Sequence, residues 1–143
     1  MDRAALDAAI ATGIPHGGWV PKGRKAEDGI IPSKYDLIEL DDAEYAARTL
    51  KNVQDSDGTL IITWGSPDGG TLFTRELAAE HRKPFLVVDL QGSAPPNSAK
   101  EIFSWLSSNS IEVLNVAGPR ESKKPGIYEQ AFQLLWIVFK GLN

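Results

Sequence analysis

Three short segments gather the residue types that can hold an anion. Pro21-Lys22-Gly23-Arg24-Lys25-Ala26-Glu27-Asp28-Gly29 and Gly118-Pro119-Arg120-Glu121-Ser122-Lys123-Lys124 are rich in cations, and Gly65-Ser66-Pro67-Asp68-Gly69-Gly70-Thr71 is rich in glycine. Windows 21–25 and 120–124 hold six of the fifteen lysines and arginines, in a chain whose nineteen acidic residues give a net charge of −4. An acidic protein that concentrates cations in two loops is arranged to receive an anion locally, not to attract polyanions as a whole. Lys22, Arg24 and Arg120 supply charge for a phosphate, the guanidinium groups in bidentate geometry. Gly69 and Gly70 let backbone approach a ligand closely, and free N–H groups at a helix start favour negative charge. Thr71 can cap that helix or donate its hydroxyl to a phosphate oxygen. The segment is neither a Walker loop, since no Gly-Lys-Ser/Thr occurs, nor a dinucleotide fingerprint, since no Gly-x-Gly-x-x-Gly follows a strand.

Other chemistries find less support. Zero cysteines exclude a disulfide scaffold, a thiolate metal site and a cysteine nucleophile. His16 and His81 stand apart, and no Ser/His/Asp constellation can be assembled, so no protein-ligated metal is expected. Asp55-Ser56-Asp57 precedes a strand and reads as a turn at the far edge of the sheet. Glu76 and Glu80 lie one helical turn apart after the glycine-rich loop. Glu76, or another acid on the carboxyl-end face, could reach the site as a general acid or base, although a solvated helix face is the simpler reading of Glu76.

The elements that must place these loops alternate in type. Helical periodicity covers Asp2 to Thr12 and stops at Gly13, a good residue for a left-handed helix end. Ile14 to Pro21 can hold one short strand, and Pro21 to Pro32 is a turn-rich run. A helix follows over Ala43 to Gln54, with Asp41 or Asp42 as N-cap. Thr59 to Trp64 and Phe85 to Asp89 read as buried strands, since they are apolar and β-branched, and Ile111 to Val116 reads as a third strand. Helices are expected over Thr71 to His81, over Ser98 to Asn109, and on the stripe Ile127, Ala131, Leu134, Leu135 and Val138. Strands alternating with helices imply a small doubly wound α/β domain, mostly parallel, with helices on both faces. Right-handed crossovers put the carboxyl ends of all strands on one edge, where such sheets bind ligands. The 143 residues suit a single domain. No apolar run reaches the ~18–20 residues needed to span a bilayer and no secretory signal opens the chain, so cytoplasm is the expected location, with no membrane partner.

Several segments carry a family resemblance: Asp2-Arg3-Ala4-Ala5-Leu6-Asp7, Gly18-Trp19-Val20-Pro21-Lys22-Gly23-Arg24-Lys25-Ala26-Glu27-Asp28-Gly29, and Arg48-Thr49 with Asn52 through Asp57. Gly69-Gly70-Thr71 and Leu114-Asn115-Val116-Ala117-Gly118-Pro119-Arg120-Glu121-Ser122 complete it. Together they resemble the molybdenum-cofactor carrier family, the circularly permuted YpsA-like branch of the Rossmann-like SLOG superfamily. The resemblance implies a Rossmann-like fold, a phosphate-bearing small-molecule ligand and a homo-oligomer. It implies a binding site of Lys22, Gly23, Arg24, Gly69, Gly70, Thr71, Arg120, Glu121 and Ser122. Two departures stand out. Family members usually begin with a strand and a Ser-Gly-Gly-Gln-Thr-Gly-like loop before Asp-Arg-Ala-Ala-Leu-Asp, whereas here Met1 directly precedes Asp2, so a missing first strand is expected. The phosphoribohydrolase cousins place a glutamate three residues after the threonine, where this chain has Thr74, with Glu76 two residues later.

The function expected is non-catalytic binding, carriage or sensing of a phosphorylated heterocycle, either the molybdenum cofactor or a nucleotide. Any molybdenum would arrive on its pterin, and Trp19 or Trp64 could stack on a ring. The alternative is a nucleoside-monophosphate glycosidase using Glu76. General nucleic-acid binding is not expected.

Overall fold

Six residues in the middle of the chain organise the molecule. In the computed structural model, which describes residues 1–17, 19–20, 25–26, 29–30, 38–39, 45–92 and 95–142, Gly58–Thr63 forms a strand buried at every position. In chain order the elements are α1 (Asp2–Thr12), β1 (Trp19–Val20), β2 (Lys25–Ala26), β3 (Gly29–Ile30), β4 (Ile38–Glu39), α2 (Tyr45–Gln54), β5 (Gly58–Thr63) and α3 (Gly69–Glu80). They continue with β6 (Phe85–Asp89), α4 (Pro95–Ser108), β7 (Leu114–Ala117) and α5 (Ile127–Leu142). The main sheet has the order β6-β5-β7 and is parallel throughout, so β5 lies between two partners and has no exposed edge. Two small pairings accompany it, β1 with β4 in parallel and β2 with β3 antiparallel.

Alternation along the strands assigns each side chain to a layer. Leu60, Ile62 and Val88 face the larger core, where Ala4, Ala8, Ile102, Leu134, Leu135 and Val138 bring α1, α4 and α5 against the sheet. The alanines of α1 let it pack closely on α5. On the opposite face Val53 of α2 and Leu77 and Ala78 of α3 form a second cluster with Phe85. Each fully buried Leu or Ile contributes about 1.5–3 kcal/mol relative to exposure. The result is the α/β Rossmann-like architecture expected from the sequence, with helices on both faces of a parallel sheet. Among the described residues no helix is long and apolar enough to cross a membrane.

Several boundaries differ from the expectation. α3 begins at Gly69, two residues before Thr71, and its N-cap position is Asp68. α4 begins at Pro95, because a fixed proline φ suits the first turn, where no N–H is needed. β7 begins at Leu114 and runs to Ala117. Ile111 still covers Gly58, whose absent Cβ would lie 2.5 Å from Ile111 Cδ1, but Glu112 and Val113 are held by a side chain. Their N–H groups donate to Asp57 Oδ2 at 3.0 and 2.8 Å, while the Asp57 N–H donates to the Val113 carbonyl at 2.8 Å. The acidic pair is therefore a turn at the amino-end edge, as its spacing implied. The run from 21 to 32 contains the paired residues of β2 and β3 where only turns were expected.

Candidate functional site

Parallel strands each followed by a helix place the starts of α3, α4 and α5 at the carboxyl-end edge of the sheet. The start of α1 is brought to the same edge, since the Met1 amino group donates to the Pro119 carbonyl at 3.5 Å. Gly118 makes this approach possible: a Cβ there would lie 2.4 Å from the Ile62 carbonyl oxygen and 2.6 Å from Met1 Cε. Four helix N-termini thus share one edge, and each adds a partial positive charge.

The loop after β5 is clasped on both sides. The Thr63 hydroxyl donates to the Gly65 carbonyl at 2.7 Å, and the Gly65 N–H donates to Asp89 Oδ1 at 2.8 Å. Asp89 ends β6 and also receives the Gln91 N–H at 2.9 Å, so one carboxylate ties two strand-end loops together. Gly65 at φ 86° adopts a left-handed turn that suits glycine.

Beyond this turn, the Asp68 carbonyl accepts the N–H groups of Thr71 and Leu72, both at 3.1 Å. The Asp68 side chain makes no capping bond and instead pairs with Lys123, Oδ1 to Nζ 2.8 Å. This lysine and its charge hold the Asp68 carboxyl below the usual carboxylate range. The N–H groups of Gly69 and Gly70 open the helix, and no intrahelical carbonyl precedes them to accept their bonds. Thr71 is buried beside them, in the first turn of α3. Thr71 does not cap the helix, but it borders a shallow cleft with Thr63, Trp64, Asp68, Pro119 and Lys124. The cleft is a surface depression open to solvent, not an enclosed cavity.

The third loop reaches the cleft through one tight turn, in which the Arg120 carbonyl accepts the N–H groups of Lys123 and Lys124, both at 3.0 Å. That turn sends Lys123 to Asp68 and Lys124 to the cleft wall. Arg120 and Ser122 are exposed, and both are engaged by other groups of the chain. Glu121 turns the other way. Its two carboxylate oxygens accept the N–H groups of Gly126 at 2.6 Å and Tyr128 at 2.9 Å, which fasten the start of α5 and hold the carboxyl below its usual range. The Tyr128 hydroxyl in turn donates to Asp7 of α1.

Of the site residues expected from sequence, Gly69, Gly70 and Thr71 are thus brought beside the 120–124 turn. Lys22, Gly23 and Arg24 lie outside the described residues, as does the Trp19 side chain. Trp64 borders the cleft and is 36% exposed, leaving part of its surface available to a ring. Glu76 is exposed on α3 and does not line the cleft. Among the described residues no cluster of three or more His, Asp or Glu could hold a metal ion. Sequence reasoning missed Asp68, Thr63 and Asp89. The signal for Asp68 was present, since an aspartate between Pro67 and Gly69 is a good N-cap residue.

The model of the circularly permutated YpsA SLOG family matches residues 1–139. The chain belongs to that family. Among solved structures, it is similar to one titled "Crystal structure of Putative molybdenum carrier protein", from Syntrophus aciditrophicus SB, with 51% sequence identity and a TM-score of 0.92. The match covers 96% of this chain and 87% of that one. Comparison with curated proteins returns no match. Within this SLOG chain, the segments that carried the resemblance in sequence include two residues that line the cleft, Thr71 and Pro119.

Proposed function

We propose that this SLOG-family protein is a non-catalytic carrier or sensor that binds a phosphorylated heterocycle, the molybdenum cofactor or a nucleotide, by its phosphate end. The observation that carries the reading is the first turn of α3. Two glycine N–H groups open the helix beside Thr71, which lines the cleft with Lys124, and Lys123 lies across Gly69. The 51% identical neighbour, described as a molybdenum carrier, supports a ligand of this class.

The residues present fit the phosphate of such a cofactor. Gly69 and Gly70 would donate backbone N–H groups, Thr71 its hydroxyl, and Lys124 its charge. When bound, the cofactor would supply its own metal-holding dithiolene, consistent with a chain that has no cysteine. The net charge of −4 gives no general attraction to nucleic acid, and the protein is expected to act in the cytoplasm as a homo-oligomer. The placement of Glu76 away from the cleft favours carriage over glycoside hydrolysis.

A thermal-shift panel of nucleotides, pterins and molybdate tests the proposal. A ligand at one hundred times its Kd contributes about 2.7 kcal/mol, which raises Tm by roughly 5–10 °C in a domain of this size. The proposal expects that rise from a phosphate-bearing heterocycle and not from molybdate alone. No stabilisation by any member of the panel would contradict it.

A further inference from the structure

We infer that Asp68 is the site's own competing anion, a carboxylate that occupies Lys123 until a ligand phosphate displaces it. The inference rests on the phosphate-binding reading above and assigns the residue pair that regulates the same site.

The geometry is built around the lysine. Lys123 Nζ lies 2.8 Å from Asp68 Oδ1, and it also lies 2.9 Å from where a Cβ on Gly69 would sit. Gly69 adopts a φ of 51°, a conformation that favours glycine, and the ammonium group lies across this opening turn of the helix. A cation lying over a helix N-terminus is unfavourable by itself, because both are positive. It is held there by an anion, and among the described residues that anion is Asp68. The lysine arrives on a fixed turn, with its own N–H bonded to the Arg120 carbonyl and the neighbouring Glu121 fastened to α5. Lys124, on the same turn, remains at the cleft wall.

Magnitude decides how such a pair behaves. The two side chains are 44% and 60% exposed, so the pair is screened by water and individually weak. A pair of this kind cannot lock the site. It can lower the apparent affinity for a phosphate modestly and return Lys123 to a partner when the ligand leaves. Ligand release then never leaves a lysine without a counter-charge over the N-terminus of α3, which suits a protein that must give up its cargo.

A double-mutant cycle on the full chain tests this, with methyl phosphate as the probe and the Gly69 and Gly70 amide resonances of ¹⁵N-labelled protein as the readout. Asp68→Asn should bind methyl phosphate about two- to fivefold more tightly than the unmodified chain. Lys123→Ala should bind it more weakly. In the Lys123→Ala background, Asp68→Asn should gain less than about twofold, because only screened repulsion remains to be removed. Unchanged or weaker binding by Asp68→Asn, while the unmodified chain binds normally, would overturn the inference and leave the functional reading intact. An equal gain in both backgrounds would also overturn it, since Asp68 would then act by repulsion alone. If neither the unmodified chain nor Asp68→Asn responds to methyl phosphate, the phosphate-binding reading itself fails, and the inference with it.

Discussion

Asp57 and Asp68 stand beyond opposite ends of β5, and both carboxyls are held below the ordinary aspartate range. Their partners differ. Asp57 accepts two successive backbone N–H groups, from Glu112 and Val113, and so joins the entrance of β7 to the entrance of β5. Among the described residues, the Asp68 carboxylate accepts only the end of a lysine side chain. A carboxylate bonded to backbone is committed to the fold, because no ligand can take its place without unmaking a turn. A carboxylate bonded to an exposed ammonium is exchangeable. The difference separates an edge of the sheet that holds the domain together from an edge that can receive something.

The contrast can be broken most severely at Gly118, where the carboxyl-end edge is itself structural. Gly118→Ala places a methyl 2.4 Å from the Ile62 carbonyl, so backbone must shift. Overpacking of this kind costs about 1–3 kcal/mol, visible as an earlier urea midpoint. Next in size, Asp57→Ala should lower Tm by several degrees in a thermal melt, since two N–H groups lose their acceptor. The acid limb sharpens the same point. Because the folded-state pKa of Asp57 is depressed, its stabilisation is fully present above the unfolded value near 3.8 and is lost as pH falls through the lower folded value. Denaturation curves between pH 5 and 2 should therefore show a shallower acid-side loss in Asp57→Asn than in the unmodified chain. The smallest stability effect belongs to Asp68→Asn, which should leave Tm essentially unchanged at neutral pH while tightening phosphate binding.

Much of the fold was legible because its signals are local and mutually consistent. Thr59–Trp64 and Phe85–Asp89 read as strands from their apolar, β-branched composition, and the sheet places them side by side, although β6 is only half-buried apart from Val88 while β5 is buried throughout. The start of β7 was not legible. Ile111 and Val113 continue the apolar run, yet the Ile111 N–H donates to the Leu106 carbonyl and those of Glu112 and Val113 to an aspartate 55 and 56 positions away, and no local pattern reports such bonds. The start of α4 was obscured by Pro95 and Pro96, which punctuate loops as readily as they open helices. At the site, Gly69, Gly70 and Thr71 were legible from the turn chemistry of a strand-to-helix connection. Which cation of the 120–124 segment meets them was not, because it depends on the turn that folds Lys123 and Lys124 back onto the Arg120 carbonyl. The family resemblance implied a place for Glu121 among ligand-binding residues, and in the structure its carboxylate fastens the start of α5.

The most direct test of the central claim is a ¹⁵N NMR titration of the full chain with a nucleoside monophosphate, comparing the two edges in one experiment. The account predicts saturable shifts at Gly69, Gly70 and Thr71, with Glu112 and Val113 unmoved. Shifts confined to the Asp57 edge, or none at the start of α3 with this ligand or with a phosphorylated pterin, would contradict it.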